Sequence, residues 1–135
     1  MTKEAIRSEA APQAIGPYSQ AVRSGSLVFV SGQIGLDPDG GDLVPGGATA
    51  EAERALRNLE AVLAAAGLGF DDVVRVTIYL VDLADFAAVN DVYRHRLRSP
   101  YPARATVGVS SLPRGARVEI DAIAVASQPI RRAGG

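Results

Sequence analysis

The chain has 135 residues, 47% apolar and 21% charged, which fits one globular domain that buries its core without metal or disulfide staples. A formal charge of -1 gives no long-range attraction to nucleic acid, and the lack of cysteine excludes disulfides, thiolate metal sites and a cysteine nucleophile. The Met1-Thr2-Lys3-Glu4 start has no signal-peptide core, and no apolar run nears the roughly 20 residues of a bilayer span, so a soluble cytoplasmic protein is expected, with no membrane or nucleic-acid partner.

The first strand is expected at Leu27-Val28-Phe29-Val30, ending at Ser31-Gly32-Gln33-Ile34. Asp37-Pro38-Asp39-Gly40-Gly41 and Val44-Pro45-Gly46-Gly47 are dense in turn formers. No Lys-Ser/Thr follows a spaced glycine pair there, so they do not read as a phosphate-binding loop. Thr49 is placed to cap a helix running to about Ala66, with Glu51 and Glu53 in its first turn and Gly67 as its stop. Ala52, Leu56, Leu59, Leu63 and Ala66 make one apolar stripe, and Arg54, Arg57, Asn58 and Glu60 take the other side, so the helix should lie on a sheet.

Val73 to Val81 alternates as a strand, with Val74, Val76, Ile78 and Leu80 on one face and Val73, Arg75, Thr77, Tyr79 and Val81 on the other. Asp82 then starts a second helix, with Asp85 reciprocating the cap and Phe86, Val89, Tyr93 and Leu97 as the buried stripe. Pro100 and Pro102 end it. His95, the single histidine, sits between Arg94 and Arg96 where basic side chains suit a helix C-terminus, and it reads as solvated. The last strands are Ala105 to Val109 and Arg117 to Val125, joined by Leu112-Pro113-Arg114-Gly115. Val118, Ile120, Ala122 and Ala124 oppose Glu119, Asp121, Ile123 and Val125 in the second of them.

This order predicts an α+β single domain, a mixed sheet with two helices on one face. Its core should span about 11–126, with 127–135 a fraying tail. The far sheet face would then expose Tyr79, Val81, Ile123 and Val125 beside Arg75 and Glu119, an apolar surface that implies a homo-oligomer.

Tyr18, Ser31, Gly32, Asn90, Arg104 and Glu119 stand out by type and position. Each has an ordinary alternative: a core-edge tyrosine, a bulge at Ser31-Gly32, a solvated asparagine, a surface-paired arginine, an exposed strand glutamate. Together they fit one chemistry. A guanidinium fork binds a carboxylate through two parallel hydrogen bonds, and a nearby carboxylate can orient or deprotonate water.

At these residues the sequence resembles the Rid family, also called YjgF-like proteins, from about Ala11 to Val125. The resemblance is carried by Ala14-Ile15-Gly16-Pro17-Tyr18-Ser19-Gln20-Ala21, Val30-Ser31-Gly32-Gln33-Ile34, Asn58-Leu59-Glu60-Ala61-Val62-Leu63-Ala64-Ala65-Ala66-Gly67, Val81-Asp82-Leu83-Ala84-Asp85-Phe86, Val89-Asn90, Tyr101-Pro102-Ala103-Arg104 and Val118-Glu119-Ile120-Asp121-Ala122-Ile123-Ala124, in order and at family spacing. It implies a chorismate-mutase-like subunit, a homotrimer with sites between subunits, and cofactor-free hydrolysis of 2-aminoacrylate and related 2-imino acids to 2-oxo acids and ammonia. By position, Arg104 would bind the substrate carboxylate and Glu119 position the water. Tyr18 matches the site tyrosine, Ser31 and Gly32 the strand-end pocket wall, and Asn90 the helix asparagine near the site. Thr106 stands where relatives often carry cysteine, and its backbone would help to close the pocket. The alternatives are a ligand-binding or regulatory trimer without turnover, and an endoribonuclease or translation inhibitor, against which the near-neutral charge counts.

Overall fold

Strand alternation and helical stripes assemble here into one sheet with two helices on it. The computed structural model describes residues 2–126, so the fraying expected at 127–135 lies outside the described residues. The elements are β1 (Glu4–Ile6), β2 (Ala21–Ser24), β3 (Leu27–Ile34), α1 (Gly47–Ala65), β4 (Val73–Leu80), α2 (Phe86–Arg96), β5 (Ala103–Gly108) and β6 (Val118–Val125). The strands run in the order β1-β2-β3-β6-β4-β5, all neighbours antiparallel except the parallel pair β4 and β5. That is the mixed α+β sheet expected from the sequence. Among the described residues no helix is long and apolar enough to cross a membrane.

The core forms where the apolar stripes meet. On β6, Val118, Ile120, Ala122 and Ala124 are buried while Glu119, Asp121, Ile123 and Val125 are half-exposed. Helix α1 lies over β3 and β6 and packs on α2. Leu56, Leu59 and Leu63 of α1 meet Ile78, Leu80 and Ile120 of the sheet, all with essentially no exposure. Each such side chain contributes about 1.5–3 kcal/mol.

Several local features differ from the sequence expectation. Strands β1 and β2 were not expected. β2 and β3 form a hairpin over Gly25-Ser26, and Gly25 supplies the positive φ (62°) that a primed two-residue turn requires. Helix α1 begins at Gly47, two residues before Thr49, after Gly46 in the left-handed region, so Thr49 caps nothing and no acid sits in its first turn. Its end is as expected: Gly67 has φ +77, and the N–H groups of Gly67 and Leu68 donate to the carbonyls of Ala64 and Leu63, closing a Schellman cap.

Two polar residues of α1 face inward. Glu51 accepts the Arg117 N–H (2.8 Å) and so ties the helix to the start of β6. Asn58, expected on the solvated side, is fully buried and donates to the carbonyls of Ile34 (3.2 Å) and Leu36 (2.9 Å). Those carbonyls lie where β3 ends, and a buried carbonyl outside the ladder needs a donor.

β4 keeps the expected faces from Val76 onward, but a register shift between Val73 and Arg75 inverts its first residues, so Val73 is buried and Val74 exposed. Asp82 caps a 3-10 turn at Leu83–Asp85 (Ala84 N–H to Oδ1, 2.9 Å), and α2 follows from Phe86 with no side-chain cap from Asp85. Val89, Tyr93 and Leu97 are buried as expected, whereas Phe86 is partly exposed.

Candidate active site

Tyr18 sits in an irregular segment that folds because Gln20 holds it. The Gln20 side chain, 4% exposed, accepts the Ser8 N–H (2.6 Å) and donates to the carbonyls of Ser8 (3.1 Å) and Pro12 (2.8 Å). Gly16, at φ +114, lets the Tyr18 N–H turn back onto the Gly16 carbonyl (2.9 Å), and the Tyr18 ring stays exposed. Ser31 fastens this segment to β3: its N–H donates to Gln20 O (2.9 Å) and its Oγ to Ser19 O (2.6 Å).

Ser31 and Gly32 form a β-bulge, because Val30 pairs with Ala122 and Gln33 with Ile120, three steps against two. Glycine is needed at 32 for a steric reason, since a Cβ there would fall on the Glu119 carboxylate. Tyr18, Ser31, Gly32 and Glu119 line one cleft of about 690 Å³, with Ile15 and Pro113 on its apolar walls. Burial first, and the negative charge of Asp121 second, push Glu119 above the usual carboxylate range.

Arg104 belongs to a second cleft, of about 400 Å³, lined also by Asn90, Tyr93, Arg94, Tyr101 and Pro102. It lies inside β5, which starts two residues before the expected Ala105. Its guanidinium carbon stands 4.9 Å from the Tyr93 ring centroid and 5.6 Å from that of Phe86, and one NH group donates to Asn90 Oδ1 (2.7 Å). Phe86, Asn90 and Tyr93 recur at helical spacing on one side of α2, so a single helix face holds the arginine by two cation–π contacts and a hydrogen bond. Thr106, two residues on, shares this sheet face, and its buried hydroxyl has no protein partner.

The strand register separates the two groups. Arg104 pairs with Val76, a buried residue beneath the helices, whereas Glu119 pairs with Tyr79 on the opposite sheet face. One chain therefore unites Tyr18, Ser31, Gly32 and Glu119 in one cleft and Arg104 with Asn90 in another. Among the described residues no three His, Cys, Asp or Glu side chains are grouped to hold a metal ion. Sequence reasoning missed Phe86 and Tyr93 as holders of Arg104, although their spacing around Asn90 carried that signal. It also missed Gln20, whose role depends on an irregular loop that leaves no periodic trace.

A family model described as Endoribonuclease L-PSP matches residues 8–126. The chain belongs to this family, the Rid/L-PSP family. Its relatives include Protein DfrA of Myxococcus xanthus, 59% identical over 127 residues (93% of this chain, 97% of that protein). The goat (Capra hircus) protein named 2-iminobutanoate/2-iminopropanoate deaminase is 51% identical over 125 residues, covering 93% of this chain and 91% of its own. The crystal structure of RidA from the Antarctic bacterium Psychrobacter sp. superposes with a TM-score of 0.88 at 45% identity, over 90% of this chain and 98% of that one.

Proposed function

We propose that this Rid protein hydrolyses 2-aminoacrylate and small 2-imino acids to 2-oxo acids and ammonia. The observation that carries the reading is Arg104, a guanidinium held by two rings and an amide at an open cleft. Likeness to named deaminases at about half identity along nearly the whole chain supports the reaction class.

Because Arg104 and Glu119 lie on opposite sheet faces, the complete site forms between subunits of a homotrimer. Arg104, Asn90 and Thr106 of one protomer face Tyr18, Ser31, Gly32 and Glu119 of the next. The far sheet face supports association: Leu27, Phe29 and Val107 are exposed there beside half-exposed Tyr79, Ile123 and Val125. A cysteine-free chain acting on a short-lived metabolite suits the cytoplasm.

In the mechanism, Arg104 grips the substrate carboxylate and so fixes C2, while Asn90 holds Arg104. 2-Aminoacrylate reacts as its imine tautomer, formed when a proton moves from nitrogen to C3. Glu119 then takes a proton from water as its oxygen bonds to C2, and that proton passes to the imine nitrogen. Glu119 then receives the proton of the new hydroxyl and delivers it to the amine as the C2–N bond breaks. Water is consumed, ammonia and the 2-oxo acid are released, and no oxidation state changes, so the reaction is written without a cofactor. Imine hydrolysis has a low intrinsic barrier, so positioning and proton transfer suffice. Tyr18, the Ser31-Gly32 bulge and Thr106 bound the pocket.

Generating 2-aminoacrylate in place with a PLP-dependent dehydratase and following 2-oxo acid release tests this reading. The protein should accelerate release. Calorimetric binding of 2-oxo acids without any acceleration would favour a ligand-binding trimer instead. The surface charge does not favour RNA cleavage: Arg94, Arg96 and Arg98 are each paired, with Asp91, Glu53 and Asp71.

A further inference from the structure

Glu119 shares its side of the sheet with a second acid. Asp121 follows at i+2 on β6 and faces the same way, and Tyr79 lies directly across from Glu119 on β4. The Tyr79 hydroxyl reaches diagonally across the strands and donates to Asp121 Oδ2 at 2.9 Å. Asp121 has no ion-pair partner among the described residues.

Within the chain no other group near Glu119 supplies such a charge: Arg75, on the same face of β4, pairs with Ile123, nearer in register to Asp121 than to Glu119. In the proposed trimer Arg104 of the neighbouring protomer faces Glu119 with the opposite sign, and the effect of Asp121 adds to that background. β3 presents the Ser31-Gly32 bulge, Gln33 and Ile34, none of them charged, and the cleft adds the Tyr18 side chain. Arg114 lines the cleft too, but it donates to Gly41 O (3.0 Å) and lies 3.7 Å from Asp42. Arg117, two residues before Glu119, lies 3.6 Å from Asp85. Both cations are engaged elsewhere. Within the chain Asp121 is the acid beside Glu119 that no ion pair among the described residues engages, and the Tyr79 hydroxyl fixes where it stands.

We propose that Asp121, fixed by the Tyr79 hydroxyl, is a positioning residue that tunes Glu119 as the base that takes the proton of the attacking water. The proposal rests on the acid–base role of Glu119 stated above. It agrees with the electrostatics: after burial, the Asp121 charge is the next influence raising Glu119. Tyr79 is raised as well, chiefly by its bond to Asp121, and so stays a protonated donor.

The test compares wild type, Asp121→Asn and Tyr79→Phe as assembled proteins, by the pH profile of kcat/KM and by carbon NMR titration of the Glu119 carboxyl. In Asp121→Asn, Glu119 should titrate at lower pH and the acid limb should follow. Below both midpoints, that variant should then keep roughly threefold more of its own plateau activity than wild type keeps of its own. Tyr79→Phe removes one oxygen and should move the titration the same way by less; it decides the matter if Asp121→Asn does not assemble. An unmoved Glu119 titration in the assembled variants would overturn the proposal. If Glu119→Gln keeps full activity, the acid–base reading itself is wrong, whereas the NMR titration still reports whether the two carboxylates interact.

Discussion

Arg104→Ala is expected to lower kcat/KM on 2-imino acids by about 10²–10³-fold. Two charge-assisted hydrogen bonds to a carboxylate contribute about 1.5–3 kcal/mol each, and every 1.36 kcal/mol is a factor of ten. The lower part of that range is the better expectation, because water enters the emptied space and offers the substrate partial compensation. The fold should survive: Arg104 is half-exposed in the edge strand β5, and the core leucines of α1 do not depend on it. Arg104→Lys should recover little, since an ammonium cannot present two parallel donors or stack between the Phe86 and Tyr93 rings as a planar fork does. Steady-state kinetics beside a thermal melt checks both parts. A variant that folds and turns over like wild type would remove the carboxylate clamp from the account.

Glu119→Gln should act on turnover more than on binding. Glutamine keeps the shape and polarity that rest against Gly32 but cannot accept the water proton, so kcat should fall about 10²–10⁴-fold with a smaller change in KM. The pH profile adds a second reading. Glu119 must be ionised to take the first proton, and its environment raises its titration, so the wild-type acid limb should lie above that of an ordinary glutamate. In the glutamine variant that limb should disappear. A rise in KM with kcat unchanged would make Glu119 a binding group.

Much of the fold was legible because the sheet is regular where it is most buried. β6 alternates without interruption, and the α1 leucines repeat at helical spacing over the same core. What escaped notice was local. β1 is three residues long and β2 four, too short for alternation to stand out. The bulge at the start of β4 reverses the faces of Val73 and Val74, and no residue type marks it. Asn58 looked solvated by type, and only the free carbonyls at the end of β3 make its burial favourable.

The candidate site was legible as a set of residues and illegible as a place. The resemblance brought Arg104 and Glu119 together by family position. Strand parity, which depends on pairing across β4, puts them on opposite faces of one chain. That separation makes the subunit boundary a requirement of the proposed chemistry, because neither half holds both the clamp and the acid–base group.

Mixed assembly of the two inactive variants tests this most directly. Arg104→Ala and Glu119→Gln subunits, unfolded together in equal amounts and reassembled, should regain activity that neither has alone. If each site draws its arginine from one subunit and its glutamate from the next, about one quarter of sites hold both intact, and about one quarter of wild-type activity should return. Mixed trimers that form yet show no activity beyond that of the two variants would contradict a site shared between subunits.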